Sequence, residues 1–186
     1  MPDPTPAIHS LWGRWPLVDA FARAAAEDLV VLLVFALAWL LVTQPSIRPA
    51  LVVVASASLA LAIAAGIGAL YYVPRPFVVH HFSPLIPHGA DSSFPSDHLA
   101  VFGAVTGSSW FAARRLSVAT TLVGCVLAIA RVYVGVHWAL DVVGGFVLGM
   151  GCGVGLWQLS RIAQPWIRAA DRRLGPWRPG RRCQSS

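Results

Sequence analysis

Apolar residues along this chain come in long unbroken blocks, not in the two-residue alternation of half-buried strands or the narrow stripe of a water-facing helix. Five blocks stand out, over about 28–42, 50–73, 96–113, 116–136 and 138–162. A helix rises 1.5 Å per residue, so crossing a hydrocarbon core of about 30 Å takes about 20 residues. Each block approaches that length, the first and third at the short end. The pattern predicts an all-α, polytopic transmembrane bundle of about five spans, forming one domain over residues 1–163 with an Arg-, Trp- and Pro-rich cytoplasmic tail over 164–186. Ahead of the first block, Trp12, Trp15, Leu17, Val18 and Phe21 mix with Arg14, Asp19 and Arg23. That stretch reads either as an interfacial helix lying on the bilayer or as the lead-in to the first span. The N-terminus lacks the basic start, short apolar core and small-residue site of a signal peptide.

Composition narrows the class. Hydrophobic residues make up 56% of the chain and charged residues only 12%, against roughly 25% charged in soluble domains. With a mean hydropathy of +0.65, the chain is excluded from the soluble enzymes, disordered chains and disulfide scaffolds. All 14 basic residues are Arg, against 8 acids, for a net charge of +6. Such a surplus can serve nucleic acid or can orient a membrane protein, and its positions decide. Arg48 follows the first block, Arg114 and Arg115 the third, Arg161 stands at the end of the fifth, and Arg168, Arg172, Arg173, Arg178, Arg181 and Arg182 follow it. With five spans all ten lie on one side, which is expected to be the cytoplasm. Membrane lipids are the expected surroundings and nucleic acid is not an expected partner; the oligomeric state is left open. Cys125, Cys152 and Cys183 form neither a disulfide framework nor a zinc pattern.

The opposite face concentrates what ionisable chemistry remains. Pro74-Arg75-Pro76 closes the second block, Ser93-Phe94-Pro95-Ser96-Asp97-His98 opens the third, and Arg131-Val132-Tyr133-Val134-Gly135-Val136-His137 with Asp141 joins the fourth to the fifth. Charged groups beside membrane spans are costly and usually have a task. Ser96 is a plausible N-cap, which leaves the N–H groups of Asp97, His98 and Leu99 free for an anion such as a phosphoryl group. His98 in that first turn could move a proton, or could be a solvated histidine in a capped helix. His137 and Asp141 are four apart, which puts both side chains on one face of a helix; such a pair, more often a surface contact, can also be a carboxylate that fixes an imidazole tautomer and frees the other nitrogen. Arg75 and Arg131 offer fork-shaped donors suited to phosphate oxygens.

Taken together, Arg-Pro, Pro-Ser-Asp-His and Arg-x5-His-x3-Asp resemble the three-part signature of the type 2 phosphatidic acid phosphatase (PAP2) superfamily, which also includes vanadium haloperoxidases. The likeness covers roughly residues 64–150. Within it, the runs Pro-Arg-Pro-Phe-Val, Leu85-Ile86-Pro87-His88 and Asp91-Ser92-Ser93-Phe94-Pro95-Ser96-Asp97-His98 look most like bacterial undecaprenyl-diphosphate phosphatases of the bacitracin-resistance branch. The resemblance implies His137 as a nucleophile forming a phosphohistidine, Asp141 as the group orienting it, and His98 as the general acid. It implies phosphoryl binding by Arg75, Arg131, Ser96 and backbone N–H groups around Asp97. It also implies an extracytoplasmic site in the bacterial cytoplasmic membrane, a prenyl diphosphate substrate, a role in recycling the peptidoglycan carrier lipid, and no metal or cofactor.

Three departures stand against the pattern. The superfamily usually has Lys seven residues before the first-motif Arg, where this chain has Gly68, and it often has Gly where this chain has Asp97; Ala130 replaces a usual Ser. His88 and Asp91 are candidates for the substrate entrance. His80, His81 and His88 lack a carboxylate or thiolate at ligand spacing, so no metal site is expected. The glycines at 144, 145, 149, 151, 153 and 155 predict close helix packing in the fifth span. Alternative readings are a phosphatase for phosphatidic acid or phosphatidylglycerol phosphate, and a small transporter or channel using the same residues as an ion relay. Crowding of the ionisable groups at one face favours the enzyme.

Overall fold

A computed structural model describes residues 5–165; the tail from 166 onward lies outside the described residues. All regular structure among those residues is helical. A short helix α1 (Thr5–His9) precedes α2 (Pro16–Asp28), which runs through a 3-10 turn into α3 (Leu32–Thr43). Then follow α4 (Arg48–Leu70), a single turn α5 (Pro76–Val79), α6 (Asp97–Ser109), α7 (Arg114–Tyr133) and α8 (Ala139–Leu159). Four segments, Pro16–Thr43, Arg48–Leu70, Arg114–Tyr133 and Ala139–Leu159, are long and apolar enough to cross a bilayer.

Prolines punctuate the chain where the apolar blocks end. Pro45 follows the end of α3, Pro49 sits in the first turn of α4, Pro74 and Pro76 flank Arg75, and Pro95 precedes α6, each at a site where a missing N–H costs little. The first apolar block is the one read too short. The helix begins at Pro16, and the mixed stretch is continuous with the span, as the lead-in reading expects. Its acidic residue is buried: Asp19 accepts hydrogen bonds from the Tyr133 hydroxyl at 2.7 Å and the Gly13 N–H at 2.8 Å.

The third block forms the centre of the molecule. At 13 residues α6 spans only about 20 Å, yet ten of its residues are buried, because α4, α7 and α8 pack around it. Its seam with α8 is made of glycine. A Cβ at Gly145, Gly149 or Gly153 would run into the carbonyl oxygens of Ser96, Ala100 and Ala104, and one at Gly103 or Gly107 into the backbone of Phe146 and Met150. Gly151 and Gly155, on the other face of α8, have open space. Close backbone approach is thus the use of Gly145, Gly149 and Gly153, the small-residue packing expected of membrane helices. Thr106 bonds Thr120 at 2.9 Å, and Ser108 bonds Ser56 at 3.2 Å, so these four buried hydroxyls are paired across helices. Large apolar side chains such as Phe35, Leu122, Ile129, Leu140 and Val147 face outward, as lipid requires.

The two ends of the bundle differ. At one, Arg48 donates to Ser160 Oγ at 2.8 Å and to the Trp157 carbonyl at 3.1 Å, and Phe111 stacks on Trp157 at 5.7 Å. The loop after α3, the turn after α6 and the end of α8 therefore meet, as the Arg positions require. At the other end the α7–α8 turn, the segment 71–96 and the N-terminal residues converge: Trp12 Nε1 donates to the Tyr133 carbonyl at 3.0 Å.

Candidate active site

Arg75 stands between two prolines as the extended N-cap of α5, a conformation that turns its guanidinium back under the bundle end. Only 4% exposed, it donates from Nη1 to the Val136 carbonyl at 2.8 Å, from Nη2 to the Ser92 carbonyl at 3.2 Å, and from Nε to Asp91 Oδ1 at 3.1 Å. Arg131, in the last turn of α7, is as deeply buried. Its Nη1 donates to the Ala26 carbonyl at 3.3 Å, and its Nη2 lies 3.0 Å from His88 Nε2 and 3.3 Å from His137 Nε2. Its Nε is buried without a hydrogen-bond partner.

His137 is brought to Arg131 by the turn between α7 and α8. Gly135 takes φ +83°, and a Cβ there would strike the ring of Phe82, so the tight reversal needs glycine. His137 Nδ1 lies 2.9 Å from the Ser93 carbonyl. A carbonyl only accepts, so Nδ1 carries the hydrogen and the Nε2 lone pair is free. That lone pair faces Arg75 Nη1 at 3.4 Å and Arg131 Nη2 at 3.3 Å. Burial, reinforced by these two cations against the carboxylate of Asp141, pushes the imidazole pKa down to about 4. The ring is therefore neutral at ordinary pH.

Asp141 sits otherwise than its spacing suggests. The helix starts after His137, so the two residues do not share a helical face; Asp141 is in the first turn of α8 and its Oδ2 folds back to accept the Trp138 N–H at 2.8 Å. It is 3.7 Å from His137 Nδ1 and takes a hydrogen bond from the Ser93 hydroxyl. Ser93, fully buried, thus holds both members of the pair: its carbonyl binds the histidine and its hydroxyl the aspartate. Sequence reasoning quoted Ser93 within its motif but gave it no task.

A cavity of about 420 Å³ opens in front of His137. It is lined by Arg75, Arg131, His98, His88, Asp91 and Asp97, with a smooth wall of Ala64, Ala65 and Gly68 from α4. Of the predicted residues, Arg75, Arg131, His98, Asp97, His137, His88 and Asp91 all meet here. Ser96 does not. It is the N-cap of α6, but its Oγ makes no capping bond and is buried without a partner, while its N–H donates to the Asp141 carbonyl at 3.1 Å. The loop residues are tied to the arginines: Asp91 to Arg75 as above, and His88 to Arg131, with His88 Nδ1 donating to the Gly89 carbonyl at 3.2 Å. Burial pushes the His88 pKa down, as do Arg75 and Arg131. Burial pushes the Asp91 carboxyl up, but the hydrogen bond and charge of Arg75 outweigh it and hold Asp91 below the usual range.

Residues 49–164 match the PAP2 superfamily. The chain belongs to the PAP2 superfamily. It is 30% identical over 163 residues to the undecaprenyl-diphosphatase BcrC of Bacillus subtilis, covering 87% of this chain and 84% of that one. It is 33% identical over 165 residues to YbjG of Escherichia coli K12, named provisionally for the same activity, covering 82% and 83%. The fold superposes on the crystal structure of Aquifex aeolicus LpxE with a TM-score of 0.64 at 21% identity, over 82% of this chain and 91% of that one. It superposes on a PAP2-type phosphatidylglycerolphosphate phosphatase from Bacillus subtilis with a TM-score of 0.61 at 22% identity, over 83% of each. The protein is a multi-pass helical membrane member of this superfamily.

Proposed function

We propose that this protein hydrolyses undecaprenyl diphosphate to undecaprenyl phosphate and inorganic phosphate at the extracytoplasmic face of a bacterial cytoplasmic membrane, returning the carrier lipid to cell-wall synthesis. The observation that carries this reading is the His137 Nε2 lone pair, fixed by Ser93 on the far nitrogen and aimed into a cavity between two buried guanidinium groups. Nε2 attacks the terminal phosphorus, and the P–O bond to the prenyl phosphate breaks as His98, protonated once the diphosphate is bound beside it, gives that proton to the leaving oxygen. Arg75 and Arg131 bind the three equatorial oxygens, where charge gathers in phosphoryl transfer. Water, losing its proton to His98, then attacks the phosphohistidine, releasing phosphate and restoring the neutral imidazole. Asp141 and Ser93 keep the ring in the Nδ1–H tautomer throughout.

Two further points support a diphosphate lipid. Two relatives that match over more than four-fifths of this chain carry undecaprenyl-diphosphatase names, and the small residues Ala64, Ala65 and Gly68 leave room for a second phosphate beside the reacting one. The test is chemical trapping. Prenyl diphosphate labelled on the terminal phosphate should leave acid-labile, base-stable label on His137, and His137→Ala should lose both the label and at least about a thousandfold of the turnover. Wild-type turnover in that variant removes the nucleophile. A substrate panel in which phosphatidic acid is strongly preferred over prenyl diphosphate removes the substrate.

A further inference from the structure

The lining of the cavity is poor in net charge. Its permanent cations are Arg75 and Arg131, and its carboxylates Asp91 and Asp97 cancel them, while a diphosphate head group brings at least two negative charges. His98 and His137 have tasks in the reaction. His88 is the remaining titratable group facing the cavity. Its tautomer is set by its contacts: Nδ1 donates to the Gly89 carbonyl, so Nε2 is an acceptor and takes a hydrogen bond from Arg131 Nη2 at 3.0 Å. In this state His88 is neutral and occupies a donor of Arg131. Around it stand Arg75, Asp97 and His98 along the cavity, Asp91 with Oδ1 3.8 Å from Nδ1, Arg131, and the His137 ring at 6.3 Å.

Resting on the phosphatase reading above, we propose that His88 is a cation recruited by the substrate: an entering phosphate draws one proton from solvent onto His88 Nε2. Protonated, Nε2 can no longer accept from Arg131, and two donors face each other. Arg131 Nη2 and the new Nε2–H both turn to the anion, so a single proton supplies a third positive group and releases a guanidinium donor. Asp91, 3.8 Å from Nδ1, steadies the imidazolium. The residue thereby supplies the charge that no side chain at Gly68 can offer.

The experiment counts protons. Inorganic phosphate is titrated calorimetrically into the detergent-solubilised full chain in buffers of different ionisation enthalpy, with KM for prenyl diphosphate followed from pH 5.5 to 8.5, about three pH units. Relative to His88→Gln, the wild type should take up about one more proton per phosphate bound, and its KM should climb up to about tenfold per unit above the complex's pKa. His88→Gln should raise KM at pH 6 roughly ten- to a hundredfold. His88→Lys, whose charge is permanent, should keep low KM with no extra proton taken up. Equal proton uptake in wild type and His88→Gln, or a His88→Lys profile that still follows the wild type, overturns the inference while leaving the hydrolysis intact. A wild-type protein that neither binds phosphate nor cleaves the lipid overturns the phosphatase reading and this one with it.

Discussion

Ser93 ties His137 to Asp141 although it does not line the cavity. Its carbonyl fixes the His137 tautomer and its hydroxyl steadies Asp141, so Ser93→Ala keeps the first bond and loses the second. Turnover should fall, up to about a hundredfold for an ångström of imidazole drift, with KM within about twofold; a rise in KM at unchanged kcat would mean that Ser93 serves binding instead. The neutral state of His137 can be checked directly. Burial and two cations place the His137 pKa at about 4, below the ordinary 6.5, so the ring stays unprotonated until pH falls through that value. In a titration of 15N-labelled histidine in the ligand-free protein, the imidazole signal that disappears in His137→Gln should still be neutral at pH 5.5; a midpoint near 6.5 contradicts the buried arrangement.

Among the elements, the α6–α8 seam carries the sharpest stability contrast. Gly149→Ala drives a methyl into the Ala100 carbonyl and should cost about 1–3 kcal/mol, whereas Gly151→Ala on the open face should be neutral or slightly stabilising. Thermal unfolding of both variants in the same detergent compares them, and equal melting temperatures would remove the seam from the argument. The helices themselves were legible in the chain because apolar blocks between prolines leave few choices: 50–73 became Arg48–Leu70 and 138–162 became Ala139–Leu159. The start at Pro16 was hidden, since Asp19 reads as a surface residue until Tyr133 and Gly13 are seen to satisfy it. The site was legible for a similar reason, as Arg75, Arg131, His98 and His137 stand out in a chain so poor in charge. Ser93 and the carbonyls of Ser92 and Val136 carry no such signal. Only folding brings them to the arginine and histidine, and only folding shows Ser96 turned away from the cavity.

Across the whole molecule, the polar chemistry sits at one end and the arginine-rich turns at the other. On the proposed reading the arginine-rich end faces the cytoplasm and the site end faces outward. In a chain with Cys125, Cys152 and Cys183 replaced by alanine, Ala90→Cys should react with an impermeant maleimide on intact cells and Arg115→Cys only after permeabilisation; the reverse pattern inverts the topology. The N-terminal segment belongs to the site end as well. Trp12 and Asp19 brace Tyr133, and the Ala26 carbonyl holds Arg131. Asp19→Ala should therefore loosen the end of α7, raising KM at least severalfold while the Tm falls by several degrees.

The glycine seam also has a consequence for how such a chain can change in length over descent. Gly145, Gly149 and Gly153 meet Ser96, Ala100 and Ala104 at one contact per four residues on both helices, beginning at the level of the active site. One residue added to either helix within that stretch would rotate everything beyond it by about 100° and take every later glycine off its partner. Insertions and deletions among homologues should accordingly gather at 44–47 and 110–113 and be missing from 97–107 and 141–153, a pattern that an alignment of relatives can test without any protein being made.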